Sequence, residues 1–156
     1  MKNTTLCFLV KEDKVLLAMK KRGFGIGKWN GVGGKVSENE NIKDATVREA
    51  NEEIGVSINP ADLKSHGSIK FSFEGNLDWN QEVHIFITEK WEGELSESEE
   101  MRPQWYAHSE LPFGEMWLDD PHWLPKVLAG KKIEGEFLFN NDGTRILKFE
   151  VLETGN

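Results

Sequence analysis

The chain has 156 residues, a formal net charge of −8 at pH 7, 38% hydrophobic residues and one cysteine, Cys7. This length suits one compact domain, so we expect a single domain over residues 1–156. The acidic balance disfavours binding to nucleic-acid polymers or anionic membrane surfaces, which needs basic patches. A lone cysteine excludes an intramolecular disulfide, and the first apolar run is too short for a signal peptide or a membrane span. We therefore expect a cytoplasmic protein.

The first half of the chain alternates apolar runs with glycine-rich and acidic segments. Residues 6–10 and 15–19 are apolar and predict two strands. The stretch 23–35 is too aromatic for a linker and predicts a structured loop with a short strand. Residues 41–54 have the length and composition of a helix, and Gly55 is placed to end it.

The second half is richer in strands and carries a second helix. The predicted strands cover 69–73, 83–88, 137–139 and 146–149. A loop at 74–82 joins the first two, and Asn-Asn-Asp-Gly at 140–143 is a strong turn signal between the last two. Residues 121–128 predict the helix. Strands on both sides of one central helix indicate an α/β fold of the α+β type, with a mixed β-sheet sandwiched between helices.

Three glutamates of the central helix, Glu49, Glu52 and Glu53, share one face because residues three and four apart lie together. Their like charges repel each other, and two of them occupy the last turn, where the helix dipole disfavours anions. A solvated charged face is the ordinary explanation for such residues. The alternative is a metal site, because clustered carboxylates suit Mg²⁺ or Mn²⁺ ions that also contact substrate phosphates.

The segment 34–56, GKVSENENIKDATVREANEEIGV, resembles the signature of the Nudix hydrolase family. Its two glycines, its first invariant glutamate and its Arg-Glu and Glu-Glu pairs all stand at the family's spacing. Ala50 is a mild departure, since the family usually has a bulkier aliphatic residue there. The resemblance implies a Nudix fold, Mg²⁺ as the cofactor with Mn²⁺ as a substitute, and hydrolysis of a nucleotide at its linked phosphates.

The same resemblance implies roles for the acidic residues and their neighbours. The implied metal ligands are Gly33, through its carbonyl, Glu49, Glu52, Glu53 and Glu100. Arg48 would orient a glutamate, and Glu40 would support the site as a secondary carboxylate. The general base stays open between Glu53, the first choice, and Glu100. Glu100 belongs to the acidic run 97–100, for which an ordinary solvated loop is the alternative.

Three further blocks, 19–36, 99–106 and 116–123, resemble Nudix members that hydrolyse oxidised purine nucleoside triphosphates. This resemblance implies conversion of 8-oxo-dGTP or 2-hydroxy-dATP to the monophosphate and pyrophosphate, and with it sanitation of the nucleotide pool. The implied substrate-binding residues are Thr5, Lys20, Phe24, Asn30, Gly33, Gly34, Lys35, Phe71, Trp117, Asp119 and Asp120. Leu118 stands where the resembled proteins have proline, so the base preference stays open. We expect a monomer.

The residue types in this set suit a purine base. Trp117 offers a flat face for stacking, typically worth roughly 1–3 kcal/mol per base. Asn30 has both a donor and an acceptor for a base edge. Burial and mutual repulsion would raise the pKa of Asp119 or Asp120, so that the pair both donates and accepts hydrogen bonds.

Each of these residues also has an ordinary structural explanation. An aspartate before Pro121 is a common helix cap, and Asn30-Gly31 is a common turn pair. The late tryptophans and Phe71 are, on residue type alone, more often core residues. The three resembling blocks together favour the pocket.

Two rival functions stay open from the sequence. The chain could be a Nudix hydrolase for another nucleoside diphosphate derivative, such as a dinucleotide polyphosphate or ADP-ribose. It could instead be a catalytically silent nucleotide-binding module, although the complete glutamate set argues against that. Turnover of a panel of nucleotides distinguishes these functions.

Overall fold

A computed structural model of the chain describes residues 1–155, and Asn156, the last residue of the expected domain, lies outside the described residues. The strands are β1 (Lys2–Lys11), β2 (Lys14–Lys20), β3 (Trp29–Asn30), β4 (Lys64–Phe73), β5 (Gln81–Thr88), β6 (Met101–Ala107), β7 (Ile133–Phe139) and β8 (Ile146–Glu153). The helices are α1 (Ile42–Ile54) and α2 (Asp120–Leu128).

The strands form a mixed sheet with the order β3-β2-β1-β5-β4-β7-β8, and β6 pairs with β2. β1 runs parallel to β5 and β4 runs parallel to β7, whereas the other paired strands are antiparallel. Each parallel pair is joined by a long connection that contains a helix, α1 in the first case and α2 in the second. The predicted mixed sheet is confirmed.

Side chains of β1 alternate between two hydrophobic cores on opposite faces of the sheet. Phe8 packs in the cluster that contains Trp123 of α2, and Leu9 packs in the cluster that contains Ala50 of α1. Cys7 also belongs to the α1 cluster, and its burial raises the pKa of the thiol to about 12. The sheet is therefore sandwiched between helices, as the sequence predicts.

Helix α1 is capped at both ends, and Gly55 ends it as the sequence predicts. The side-chain oxygen of Asn41 accepts a hydrogen bond from the N–H of Asp44 at 2.8 Å. Gly55 has a left-handed φ of 77° and donates its N–H to the carbonyl of Asn51 at 3.0 Å. The helix begins one residue later than predicted, because Asn41 keeps an extended backbone as the N-cap. Among residues 1–155, no helix combines the length and the apolar character needed to cross a bilayer.

Strand β6 is missing from the sequence-based prediction. Its sequence, MRPQWYA, contains Pro103 and mixes polar with aromatic residues, so no clean alternation marks it. Pro103 is tolerated because β6 lies outside the main strand order and pairs with β2. The other predicted strands are longer in the structure than in the prediction; β4, for example, begins at Lys64 instead of residue 69, and α2 begins at Asp120 instead of Pro121.

Both predicted hairpins are confirmed. β4 and β5 pair in antiparallel fashion around the loop that follows Phe73. β7 and β8 do the same, and the N–H of Asn140 donates to the carbonyl of Arg145 at 3.0 Å across their turn. Gly143 supplies the left-handed φ of 74° that this turn needs.

The contact of α1 with the sheet at Ala50 generates a stability prediction. Ala50 is fully buried in the α1 cluster. The substitution Ala50→Leu should lower the free energy of unfolding by about 1–3 kcal/mol, because the added atoms displace well-packed neighbours. Urea denaturation measures this value, with Lys43→Leu on the exposed face of the same helix as the control. An Ala50→Leu variant as stable as the unaltered protein would contradict the tight packing.

Candidate active site

Two glycines after β3, Gly33 and Gly34, lie directly against β1, and we call them the glycine strap. The N–H of Thr5 donates to the carbonyl of Gly34 at 2.8 Å. A Cβ atom on Gly33 would overlap the carbonyl oxygen of Thr5, and one on Gly34 would lie 2.6 Å from the carboxyl carbon of Glu49. Gly33 must be glycine because the clash is with backbone atoms, whereas a side chain at Gly34 would displace the carboxyl of Glu49, so the strap lies between β1 and α1.

Glu53 is the buried member of the three helix glutamates. Its side chain is buried, and its Oε1 accepts a hydrogen bond from the N–H of Gly33 at 3.1 Å. Within the described part of the chain, its Oε2 has no hydrogen-bond partner. Burial and the charge of Glu49 raise the pKa of Glu53 from the ordinary 4.5 to about 8. Such a carboxyl is stable only with a proton or beside a cation.

Arg48 connects the acidic residues of α1 with the segment that precedes it. Its guanidinium donates to both carboxylate oxygens of Glu40 at 2.9 and 3.1 Å, and to Glu49 at 2.9 Å. It also donates to Glu52 at 3.3 Å and to the carbonyl of Lys35 at 3.0 Å. The hydrogen bond from Arg48 holds the pKa of Glu40 down at about 2. Arg48 therefore contacts three glutamates and one backbone carbonyl, and its expected role of orienting a glutamate stays a prediction.

Glu52 and Glu100 are exposed, and each lies close to an arginine. Both side chains are more than half exposed, with an oxygen 3.3 Å from Arg48 and 3.4 Å from Arg22, respectively. Among residues 1–155, no three acidic, histidine or cysteine side chains share the spacing of a metal site. Mutual repulsion favours these contacts with nearby cations. The donor set still fits a hard divalent cation, because it consists of carboxylate oxygens and Glu53 retains a buried oxygen without a partner.

A cavity of about 240 Å³ opens beside the glycine strap and extends to the start of α2. The cavity-lining residues include all of the predicted substrate set except Lys35. The predicted substrate residues that line the cavity are Thr5, Lys20, Phe24, Asn30, Gly33, Gly34, Phe71, Trp117, Asp119 and Asp120. Lys35 is exposed, because the chain turns after the strap toward Arg48, where the carbonyl of Lys35 is bound.

Trp117 forms one wall of the cavity and is contacted by the loop between β2 and β3. The ring centroid of Phe24 is 5.1 Å from that of Trp117, and the ammonium of Lys28 lies 5.2 Å above the indole. A Cβ atom on Gly25 would lie 3.0 Å from the indole of Trp117, so the backbone of Gly25 packs closely against that ring. The sequence prediction missed Lys28 and Gly25 as cavity residues, because a lysine and a glycine in a loop carry no specific pattern.

Asp119 and Asp120 are both buried at the start of α2. The indole N–H of Trp123 donates to Asp119 Oδ2 at 2.8 Å, whereas Asp120 Oδ2 has no hydrogen-bond partner among residues 1–155. Burial raises the pKa of both carboxyls, and the neighbouring charge of Asp119 raises that of Asp120 further. Asp120 is the first residue of α2 and not its N-cap, so the helix-cap explanation for it is wrong; Asp119 occupies the N-cap position but makes no side-chain capping bond.

Asn30 and Phe71 stand on the remaining walls. Asn30 lies within β3 opposite Ala18, so the turn explanation for it is wrong. Its Oδ1 accepts from the N–H of Gly31 at 2.9 Å, which leaves the side-chain NH₂ to donate. Phe71 stacks on Phe137 with centroids 5.6 Å apart and also lines the cavity, so it serves the core and the cavity together.

A family model for the NUDIX domain matches residues 2–127, a range that includes the glycine strap, α1 and the buried aspartates. The chain belongs to the Nudix hydrolase family. Nudix hydrolases generally need a divalent metal ion, in agreement with the donor set on α1.

Two vertebrate relatives of this Nudix hydrolase align over most of its length. It is 45% identical to "Oxidized purine nucleoside triphosphate hydrolase" of Mus musculus over 149 residues, which cover 96% of this chain and 93% of the relative. It is 48% identical to the protein of the same name in Danio rerio over 135 residues, covering 86% and 85%. Among solved structures, a MutT protein from Bacillus halodurans matches with a TM-score of 0.82 and 27% identity over 97% of both chains. The predicted Nudix fold is confirmed.

The raised pKa of Glu53 gives a pH-dependent stability prediction. Between pH 4.5 and about 8 the folded chain keeps the proton on Glu53 that the unfolded chain releases, so this group makes the free energy of unfolding fall as pH rises. The substitution Glu53→Gln mimics the protonated carboxyl, so the contribution of residue 53 to the free energy of unfolding no longer falls as pH rises. We expect the variant to equal the unaltered protein at pH 5 and to be more stable by about 1–3 kcal/mol at pH 9.

Urea denaturation without added metal, at both pH values, measures this difference. Glu52→Gln is the matched control, because Glu52 carries the same charge on the same helix but is more than half exposed. Equal stability of the Glu53→Gln variant and the unaltered protein at pH 9 would contradict the buried, unpaired state of Glu53.

Proposed function

We propose that this Nudix hydrolase converts oxidised purine nucleoside triphosphates, such as 8-oxo-dGTP and 2-hydroxy-dATP, to the monophosphate and pyrophosphate with Mg²⁺. The observation that carries the proposal is the buried pair Asp119 and Asp120, in a cavity that borders the acidic helix through the glycine strap. This combination suits a molecule with a hydrogen-bonding base at one end and a polyphosphate at the other. The names of the mouse and zebrafish relatives support the same substrate class.

The base is proposed to bind between the aromatic wall and the aspartate pair. Trp117 and Phe24 supply the stacking surface. The raised pKa of Asp120 favours its protonated form, which donates a hydrogen bond while Asp119 accepts one. Asn30 adds a side-chain donor from the opposite wall. A change in the protonation of the pair would match a different base edge, which supports recognition of more than one oxidised purine.

The sugar and phosphates are proposed to lie between the base end of the cavity and α1. Thr5 and Lys20 line this part together with the glycine strap. The ammonium of Lys20 would attract the polyphosphate, and the absence of side chains on the strap lets the phosphates approach the backbone. This path leads from the cavity toward Glu49, whose carboxyl lies against Gly34.

The residues proposed to hold Mg²⁺ are Glu49, Glu52, Glu53, Glu100 and the carbonyl of Gly33. When bound, Mg²⁺ neutralises phosphate charge and makes water more acidic, and Mn²⁺ should replace it. Arg48 is proposed to orient Glu49 and Glu52, with Glu40 fixing the guanidinium. Glu53 is the proposed general base, because it is the buried carboxyl of α1 and its Oε2 has no hydrogen-bond partner among residues 1–155. Water bonds to phosphorus, the α–β phosphoanhydride bond breaks, pyrophosphate leaves, and Glu53 takes the proton from water.

The proposed setting is the cytoplasm, with residues 1–156 acting as one domain and as a monomer. The buried thiol of Cys7 and the net charge of −8 agree with that setting. Size-exclusion chromatography at the concentrations used for kinetics tests the monomer.

A nucleotide panel tests the proposed function. Turnover of 8-oxo-dGTP, 2-hydroxy-dATP, dGTP, ADP-ribose and diadenosine tetraphosphate is compared with Mg²⁺ and with EDTA. We expect the highest kcat/KM for the two oxidised nucleotides, with one pyrophosphate per monophosphate and no turnover in EDTA. Higher kcat/KM for ADP-ribose or diadenosine tetraphosphate would overturn the substrate class, and binding without turnover would favour the silent module. Glu53→Gln should lower kcat by about 100-fold or more.

The aspartate pair generates a separate prediction for base recognition. Asp120→Asn fixes a neutral side chain that can no longer change protonation. We expect kcat/KM for 8-oxo-dGTP to fall about 10-fold or more, mainly through KM, because a charge-assisted hydrogen-bond network is altered. Asp78→Asn, in the exposed loop between β4 and β5, is the matched control. Unchanged kcat/KM for both oxidised purines would remove Asp120 from base recognition.

A further inference from the structure

Lys21, which follows β2 directly, binds the acidic run 97–100 at three points. Its Nζ donates to Glu97 Oε2 at 2.6 Å and to the carbonyl of Ser98 at 2.9 Å. Its backbone N–H donates to the carbonyl of Glu100 at 2.8 Å. One residue of the strand end therefore restrains both the backbone and a side chain of the run.

The same segment is also restrained from the other side, by α1. The N–H of Ser96 donates to the carbonyl of Ile54, the last residue of α1, at 2.9 Å. Inside the run, the hydroxyl of Ser98 accepts from the N–H groups of Glu100 at 3.2 Å and Met101 at 3.0 Å. The acidic run is thus held between the end of the central helix and the end of β2.

These hydrogen bonds place the run that ends at Glu100 next to the C-terminal end of α1, where Ile54 directly follows the buried Glu53. Met101, the residue after Glu100, lines the cavity. The acidic run therefore lies between the C-terminal end of α1 and the edge of the cavity.

We infer that Lys21 is a positioning residue that keeps the acidic run beside Glu53 and so strengthens the binding of divalent cations at α1. This inference rests on the proposed metal site. Lys21 binds the side chain of Glu97 rather than that of Glu100, so it restrains the run without competing for the carboxylate of Glu100. Glu97 responds to this contact, since Lys21 lowers its pKa.

A positioning role and a simple charge effect predict opposite changes in the affinity for divalent cations when Lys21 is replaced by a neutral residue. Removing a lysine near a cation site lowers the local positive charge, which by Coulomb's law should strengthen the binding of a divalent cation. Loss of the restraint on the acidic run should weaken that binding, because a ligand group that must first be ordered costs conformational entropy. The direction of the change therefore separates the two explanations.

The experiment compares Lys21→Met, Lys21→Arg and the control Lys14→Met. Lys14 is an exposed lysine at the other end of β2, so its substitution makes the same charge change away from the acidic run. Mn²⁺ binding is titrated by electron paramagnetic resonance, and the Mg²⁺ concentration for half-maximal turnover is measured in parallel. We expect Lys21→Met to weaken Mn²⁺ binding and raise the Mg²⁺ requirement about 3- to 10-fold. Lys21→Arg should recover most of the loss, and Lys14→Met should change neither.

Equal or tighter Mn²⁺ binding by Lys21→Met would overturn the positioning role, as would an equal effect of Lys14→Met. Ser98→Ala provides a second measurement without a charge change, because it removes two hydrogen bonds inside the run. Ser98→Ala should also weaken Mn²⁺ binding. This result would support the positioning role even if Lys21→Met lowers the melting temperature of the protein. Mn²⁺ binding without turnover by the unaltered protein would overturn the proposed function alone, whereas no Mn²⁺ binding at all would overturn both.

Discussion

The close approach of the glycine strap to β1 joins the acidic helix to the cavity. Gly33 and Gly34 leave no space for a side chain between the backbone of β1 and the carboxyl of Glu49. The strap also donates a hydrogen bond to Glu53 and lines the cavity. One short backbone segment therefore fixes the separation between the acidic face of α1 and the pocket in front of α2.

The site is built from carboxyl groups that are unfavourable for the fold on their own. Glu53 at one end and the pair Asp119 and Asp120 at the other are all buried, and burial raises the pKa of each. The two hydrophobic cores on either side of the sheet supply the stability that offsets this cost. Buried carboxyls with altered pKa values are typical of functional sites, because a ligand can supply the missing charge or hydrogen bond.

Local signals in the sequence predict much of the fold and the kinds of residue in the site. Helix α1 is predicted well because its caps, Asn41 and Gly55, and its glutamate spacing all lie within a few residues of each other. Strand β6 is not predicted, because its pairing with β2 joins segments that are distant in the sequence and its proline interrupts the residue pattern typical of a strand. The spacing of residues along the sequence also does not predict which partners the exposed side chains contact. The contacts of Glu52 with Arg48 and of Glu100 with Arg22 depend on which cation the folded chain brings near.

The burial of Cys7 has a consequence for resistance to oxidation. Cys7 lies in β1 beside the segment that leads into the glycine strap, and its thiol has a pKa of about 12. Oxidants react with the thiolate, so a buried thiol that stays protonated is chemically inert at neutral pH. A protein proposed to remove oxidised nucleotides thus protects its one sulfhydryl from the oxidants that generate its substrates.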